Sequence, residues 1–132
     1  MSDVKATFVS AAVASATAIS TAAQVANNAA LTLTASPYVT DAARKITITS
    51  GGNDSGISFD IVGLDETGAA ASERVTGGNA GAVTSTEYYT SITSITAVGD
   101  PAGTVAAGTS NNVGVPMFEG RMRLRGMYAV NT

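Results

Sequence analysis

The residues best suited to chemistry in this chain are its carboxylates, because the sequence contains no histidine and no cysteine. That absence excludes a Ser-His-Asp triad, an imidazole or thiolate metal ligand, and a cysteine nucleophile. Asp65-Glu66 and the pair Asp54 and Asp60 could act as general acid and base. These acids stand in predicted turns, where aspartate and glutamate ordinarily cap the backbone or face solvent. We therefore expect no enzymatic activity and no catalytic residue.

Oxygen-rich loops are the second kind of candidate site. Calcium takes oxygen ligands from loops, but the spacing of the loop aspartates matches no EF-hand. Gly51-Gly52 and Gly77-Gly78 are not phosphate loops, since no lysine follows in a Walker arrangement and no helical pattern begins after them. The sequence therefore predicts no cofactor and no metal site, although it leaves a loop calcium site open. The aspartates in question are Asp54, Asp60, Asp65 and Asp100.

A basic, alternating segment lies near the end of the chain. Residues 121–125 read Arg-Met-Arg-Leu-Arg, so a strand here would place three guanidinium groups on one face and two apolar side chains on the other. Residues 46–120 contain eight acids and one base, Arg74. The basic strand could dock on an acidic neighbouring subunit. Alternatively, its charges face solvent and protect an edge strand from aggregation.

Aromatic and methionine side chains add further candidate contacts. Tyr88-Tyr89 offers aromatic contact area with hydroxyl groups for hydrogen bonding, although one ring of the pair must face inward if the segment is a strand. Met117 and Phe118 follow Pro116 and could anchor the terminal segment in a neighbour's pocket or close the chain's own domain. The predicted intersubunit contacts are Arg121, Arg123, Arg125, Met117, Phe118, Tyr88 and Tyr89.

The elements that must position these residues are predicted to be strands. Between residues 31 and 110, short runs of β-branched residues alternate with polar ones and are separated by Gly/Asn/Asp turns, which is typical of an antiparallel β-sandwich or barrel-like meander. The fold class is therefore all-β. Turns at 51–56 and 65–68 predict two hairpins, so residues 46–75 would form a three-stranded meander.

Three regions of different composition predict the domain organisation. Residues 1–30 form an Ala-rich N-terminal arm, residues 31–110 the β-sandwich domain, and residues 111–132 a C-terminal strand or arm. Within the arm, the apolar spacing is near helical, yet Ser, Thr and Val are mediocre helix formers. The arm is therefore predicted to be extended or partly helical.

Composition limits both the core and the partners. The chain has 132 residues and a net charge of −3, and alanine makes up 24 of its hydrophobic residues. Such a core is thin for the length, and small domains of this kind often gain stability by oligomerising or docking on an assembly. The N-terminus has no basic signal region, no window is apolar enough for a membrane span, and the acidity argues against nucleic-acid binding.

A family resemblance gives the positive functional expectation. Residues 45–59, KITITSGGNDSGISF, and 61–68, IVGLDETG, resemble small β-rich structural proteins of tailed bacteriophages, of the head or decoration type. The stretches ERVTGGNAG at 73–81, TSITA at 93–97 and AGTV at 102–105 are similar to later strands and turns of these proteins. The resemblance covers roughly residues 20–110 and carries no catalytic motif.

The resemblance implies a structural component of a virion. The expected function is a capsid decoration (cement) protein that stabilises the shell by binding between capsomers. Its partners would be the major capsid protein and copies of itself in a homo-oligomer, with no nucleic acid and no membrane. It would be made in the host cytoplasm without a signal peptide and lie on the capsid surface. Alternatives are a tail, neck or fibre component, or an Ig-like surface binding module.

Overall fold

The structure is a computed structural model that describes the backbone of residues 14–114 and the side chains of residues 14–111. As predicted, it is all-β, and no helix occurs within these residues. Six antiparallel strands form one sheet. The strands are β1 (Ser15–Gln24), β2 (Tyr38–Ser50), β3 (Ser58–Leu64), β4 (Ala70–Thr76), β5 (Ala82–Val98) and β6 (Thr104–Gly114).

The strand order confirms one predicted hairpin and contradicts the other. The sheet runs β1-β6-β2-β5-β3-β4, so β3 and β4 form the hairpin expected at the 65–68 turn. The predicted three-stranded meander is wrong, because β5 lies between β2 and β3. The glycine-rich loop 51–57 bonds to other loops instead of turning tightly. The Asp54 N–H donates to the Gly78 carbonyl (2.8 Å), and the Ala80 N–H donates to the Gly52 carbonyl (2.7 Å).

The long strand β5 folds the sheet into two facing layers. Its first half pairs with β2, its second half pairs with β3, and both Ser91 and Ile92 pair with both strands. Both ends of β5 reach the same loop, since Ala80 bonds to Gly52 and Gly99 lies against Ile57. The strand must therefore bend back near its middle. Gly63 meets the Ser91 carbonyl so closely at this bend that a Cβ atom would overlap it.

The core lies between the two layers and is built from the inward positions of the alternating strands. Period-two alternation places every second residue of a strand on the same face. Burying each Val or Ile side chain contributes roughly 1.5–3 kcal/mol to stability. The buried cluster consists of Ile19, Val25, Leu31, Ile46, Ile48, Phe59, Ile61, Val75, Tyr89, Ile92, Ile95, Ala97, Val105 and Ala107.

The connection between β1 and β2, residues 25–37, covers one side of the two layers. The Leu31 N–H donates to the Ile95 carbonyl (2.8 Å), and the Ala97 N–H donates to the Ala29 carbonyl (2.9 Å). Farther along, the Thr34 N–H donates to the carbonyl of Ile19 in β1 (2.7 Å). The second half of β5 is thereby linked to β1 through this connection.

The two ends of the domain differ. At the closed end, the loops 51–57, 77–81 and 99–103 pack on one another. At the open end, the chain enters β1 and leaves β6, and the 65–69 turn connects β3 to β4. The Ala14 N–H donates to the Asn111 side-chain carbonyl (3.2 Å). Both ends of the described chain therefore lie side by side at the open end.

The structure bears on parts of the two predicted arms. Residues 15–24, which the sequence left open between helix and extended chain, form the edge strand β1. Strand β6 continues past residue 110 to Gly114. Residues 1–13 and 115–132 lie outside the described residues.

Candidate functional site

The predicted contact residues fall into two groups. Arg121, Arg123, Arg125, Met117 and Phe118 lie outside the described residues. Of the tyrosine pair, Tyr89 is fully buried in the core, so its ring offers no contact area and the prediction of an intersubunit contact there is corrected. Tyr88 faces outward, and the Lys45 ammonium lies 5.3 Å from its ring centroid. The inward–outward split follows from strand alternation.

A gap separates β4 from the first half of β5, and we call it the seam. Within the described residues, β4 pairs only with β3, and β5 before Ser91 pairs only with β2. The Glu73 side chain bridges the seam. Its Oε2 accepts the Thr86 N–H and its Oε1 accepts the Glu87 N–H, both at 2.9 Å. One carboxylate thus satisfies two edge donors that no strand covers.

Tyr89 completes the bridge from the core side. Its hydroxyl donates to Glu73 Oε1 (3.2 Å). Burial, and then the nearby Glu73 carboxylate, raise the pKa of Tyr89 well above its usual value. The hydroxyl therefore stays protonated at neutral pH and acts as a hydrogen-bond donor.

Ser85 marks an irregularity of β5 beside the seam. The register with β2 shifts between Lys45 and Thr47. The Ile46 N–H there donates to Ser85 Oγ (2.8 Å), and the Ser85 hydroxyl donates to the Glu87 carbonyl (2.8 Å). The hydroxyl thus replaces a missing backbone pairing. Its proton is held by a carbonyl and not by a base, so the arrangement does not activate a nucleophile.

Charge accumulates around the seam. Glu66 lies in the 65–69 turn and Glu87 is exposed on β5, and neither has an ion-pair partner among the described residues. On the outer face of the hairpin, Arg74 pairs with Asp60 at 2.7 Å, which lowers the pKa of the Asp60 carboxyl. A shallow groove of about 320 Å³ runs along this face beside the seam. Its walls are Asp60, Val62, Ser72, Glu73 and Arg74.

A cleft of about 350 Å³ lies at the open end between β1, β2 and β6. Arg44 is buried beneath it and donates to Asp41 Oδ1 (2.7 Å) and to the Ser110 carbonyl (2.7 Å). The hydrogen bond that Arg44 donates to the Asp41 carboxylate raises the pKa of Arg44, so the guanidinium stays charged. Val39 lines the same cleft and is 68% exposed. The cleft therefore has the ion-paired guanidinium of Arg44 beneath it and the exposed apolar side chain of Val39 along its wall.

Three of the four aspartates considered for calcium are engaged separately. Asp60 pairs with Arg74, and Asp65 Oδ1 accepts the N–H and hydroxyl of Thr67. Asp54 is buried at the closed end, where Oδ1 accepts the Ala102 N–H (2.7 Å) and Oδ2 has no hydrogen-bond partner. No group of three or more potential metal-ligating side chains occurs among the described residues.

Sequence reasoning missed the seam and the buried arginine. Glu73 and Arg74 are neighbours in a polar stretch, so nothing local distinguished the bridging residue from the exposed one. For Arg44, the aspartate three residues earlier was the available signal. That signal is weak, because Arg44 and Lys45 are adjacent basic residues and only Arg44 is buried.

Comparison with known proteins gives no further identification. No family model, no curated protein and no solved structure matches this chain. None of the described residues belongs to a helix long and apolar enough to cross a membrane.

Proposed function

We propose that this chain is a bacteriophage structural protein, most specifically a capsid decoration (cement) protein without enzymatic activity. It stabilises the shell by binding the major capsid protein on the capsid surface, next to copies of itself. Contacts repeated over many copies raise shell stability without any chemical step. The resemblance of residues 20–110 to phage structural proteins supports the class of protein.

The observation that carries the proposal is the position of the first and last described residues. Ala14 and Asn111 are hydrogen-bonded neighbours at the open end, so the described part of the chain begins and ends at this end of the domain. The cleft with exposed Val39 lies at this end as well. A domain with an exposed apolar side chain beside a cleft at one end is suited to docking by that end on a larger surface.

The polar networks support a structural role. The hydroxyls of Ser85 and Tyr89 both serve as donors to backbone or carboxylate oxygens, and Arg44 is held by Asp41. These groups stabilise the fold and leave no activated nucleophile among themselves.

The test is a binding measurement on the purified full chain. Mass photometry and light scattering would be recorded with and without expanded empty capsids of the same virus. We expect saturation at a fixed ratio of this chain to the major capsid protein, and a higher temperature of shell disassembly. A chain that ignores the capsids at saturating concentration would contradict the proposal.

A ring-forming tail or neck component is the second candidate, and the sheet edges favour it. Within the described residues, β1 and β4 are different edges at opposite ends of the strand order. Unlike edges can join head to tail, and such heterologous contacts form a ring when the rotation between neighbouring subunits closes. The copy number per virion separates the candidates, since a decoration protein covers the shell whereas a ring occurs once along the tail axis.

A further inference from the structure

The exposed large apolar side chains of the described residues form one row across the sheet. They are Val39, which is 68% exposed, and Val62 and Leu64, which are each 40% exposed. Ser91 of β5 pairs on one side with Val39 of β2 and on the other side with Leu64 of β3. Directly paired residues of neighbouring strands project from the same face of a sheet, and Val62 shares that face because it lies two residues before Leu64. We call Val39, Leu64 and Val62 the apolar row.

The members of the apolar row are close enough to act as one surface. Val39 and Leu64 are separated by two strand spacings of about 4.8 Å each. The small side chain of Ser91 lies between them and is only 9% exposed, so it does not interrupt the row with an exposed polar group. Single exposed apolar residues are common on proteins, whereas neighbouring ones mark a surface that contacts another part of a protein.

The edge of β2 next to the row has space beside it. Strand β6 pairs with β2 as far as Ala43, which lies opposite Gly114, and no described strand continues along residues 38–42 on that side. On the other side this stretch is fixed to β5, because the Thr40 hydroxyl donates to the Thr90 carbonyl (3.0 Å). The cleft of about 350 Å³ is lined by the same stretch and by residues of β1 and β6. A further extended segment can therefore lie along residues 38–42.

We propose that residues 115–118 of the same chain lie along this edge of β2 and cover the apolar row. Their sequence, Val-Pro-Met-Phe, is uncharged and apolar, and it follows Gly114 directly. Val39 lies four residues before Ala43, and Phe118 lies four residues after Gly114, so both stretches span at most about 14 Å from the paired Ala43 and Gly114. Phe118 can therefore reach Val39. The inference goes beyond the proposed function and does not depend on capsid binding.

Pro116 suits the route of this segment. A residue before proline is restricted to extended conformations, so Val115 favours a continuation of β6 in its own direction. Proline has no N–H group and is tolerated at a sheet edge. Met117 and Phe118 are adjacent, so an extended segment projects them to opposite sides. One of the two side chains then lies over the apolar row, and the other faces the cleft.

The short connection favours the same chain over a second copy. A segment tethered a few residues from its binding surface is present there at a high effective concentration, on the order of millimolar. A small apolar contact is then sufficient to hold it. The basic segment 121–125 begins three residues after Phe118, within about 11 Å. Covering the row would therefore also hold the basic segment at the open end.

Cross-linking tests the placement directly, since the chain has no native cysteine. The full-length double variants V39C/M117C and V39C/F118C would be oxidised and analysed for free thiols and for size without reductant. We expect at least one of them to form a disulfide within one chain. The control D100C/F118C should keep its free thiols, because Asp100 is exposed at the closed end. No disulfide in either test variant, or disulfides that form only between two chains, would overturn the inference.

Tryptophan fluorescence tests whether the apolar row is what shields the segment, because the chain has no native tryptophan. Full-length F118W should emit at shorter wavelength than the matched control L124W and should be quenched less by acrylamide. Adding V39D and L64D to F118W should shift its emission to that of L124W, since both changes place charge on the row. Equal emission of F118W and L124W, or F118W emission that V39D and L64D leave unchanged, would contradict the inference.

Neither measurement uses capsids, which separates this inference from the proposed function. If shells bind the natural chain but residues 115–118 do not cover the row, only the inference fails. If the row is covered but shells are ignored, only the proposed function fails.

Discussion

The closed end of the domain is held mainly by backbone hydrogen bonds between loops, whereas side chains make more of the contacts at the open end. At the closed end, Gly51, Asp54 and Ala80 all donate their N–H groups to carbonyls of neighbouring loops. At the open end, the Arg44–Asp41 pair and the Thr90 hydroxyl, which donates to the Asp65 carbonyl (2.9 Å), make the contacts. The close backbone contacts between loops at the closed end require glycine at positions such as Gly77, where a Cβ atom would overlap the neighbouring loop. The side-chain contacts at the open end impose no such requirement. The open end is therefore the end that we propose for docking.

The largest expected effect is a steric break of the closed end. A Cβ atom at Gly77 would lie 2.5 Å from the Asp54 carbonyl oxygen. Gly77→Ala should therefore lower the free energy of unfolding by about 2–3 kcal/mol. Gly56→Ala is the matched control, since nothing lies within 4 Å of its Cβ position, and it should change stability by less than about 0.5 kcal/mol. Urea unfolding compares them, and equal stabilities would contradict steric closure.

The seam lies between the two ends, and Tyr89→Phe probes it. Loss of the hydroxyl that donates to Glu73 should cost about 1 kcal/mol. Because the pKa of Tyr89 is raised in the folded chain, its contribution is present below the unfolded pKa of about 10 and is lost as the pH rises through the folded value. Alkaline destabilisation should therefore be smaller in Tyr89→Phe than in the natural chain.

Tyr88→Phe is the control for the seam, because Tyr88 faces outward and its ring contact with Lys45 survives the change. Thermal unfolding from pH 8 to pH 11 would compare the three proteins. Identical alkaline profiles for Tyr89→Phe and the natural chain would show that the hydroxyl does not stabilise the bridge.

A smaller effect on stability is expected when low pH protonates the Asp65 carboxylate in the 65–69 turn at the open end. Hydrogen bonds from Thr67, and then from the backbone N–H groups of Thr67 and Ala69, lower the pKa of Asp65. Its contribution is present above the unfolded pKa of about 3.9 and is lost as the pH falls through the lower folded value. The melting temperatures of the natural chain and Asp65→Asn should converge below that pH. Glu66→Gln serves as the control, and a gap that is constant with pH would contradict the assignment.

The smallest effect on stability should come from the exposed wall of the cleft. Val39 is 68% exposed, so Val39→Ser should change the free energy of unfolding by less than about 0.5 kcal/mol. If the open end serves for docking, the same variant should bind empty capsids more weakly. Calorimetry and the shell-binding measurement together test this, and unchanged binding would remove the cleft from the contact surface.

Local patterns predicted much of this molecule, and their failures have identifiable causes. The strands near residues 46–49, 57–61 and 72–76 were predicted, because β-branched alternation and flanking turns act within a few residues. Apart from the β3–β4 hairpin, the pairing of the strands was not predicted, since loop 51–57 forms its hydrogen bonds with residues 77–81 and with Thr104, which are distant in sequence. Strand alternation predicted that one ring of the Tyr88-Tyr89 pair faces inward. The hydrogen bond from the Tyr89 hydroxyl to Glu73 was not predicted, because it depends on how the bend of β5 places β4 beside its first half.

The sequence by itself determined the all-β class, the turn at 65–68, the acidic body and the basic segment, because composition and period-two alternation are local properties. It also determined which reactive side chains are absent. Tertiary structure alone decided that β5 is shared between two layers, that Arg44 is buried beside exposed Val39, and that Glu73 spans the seam. These features depend on which segments, distant in sequence, come into contact when the apolar faces are buried. Local sequence patterns do not predict such contacts.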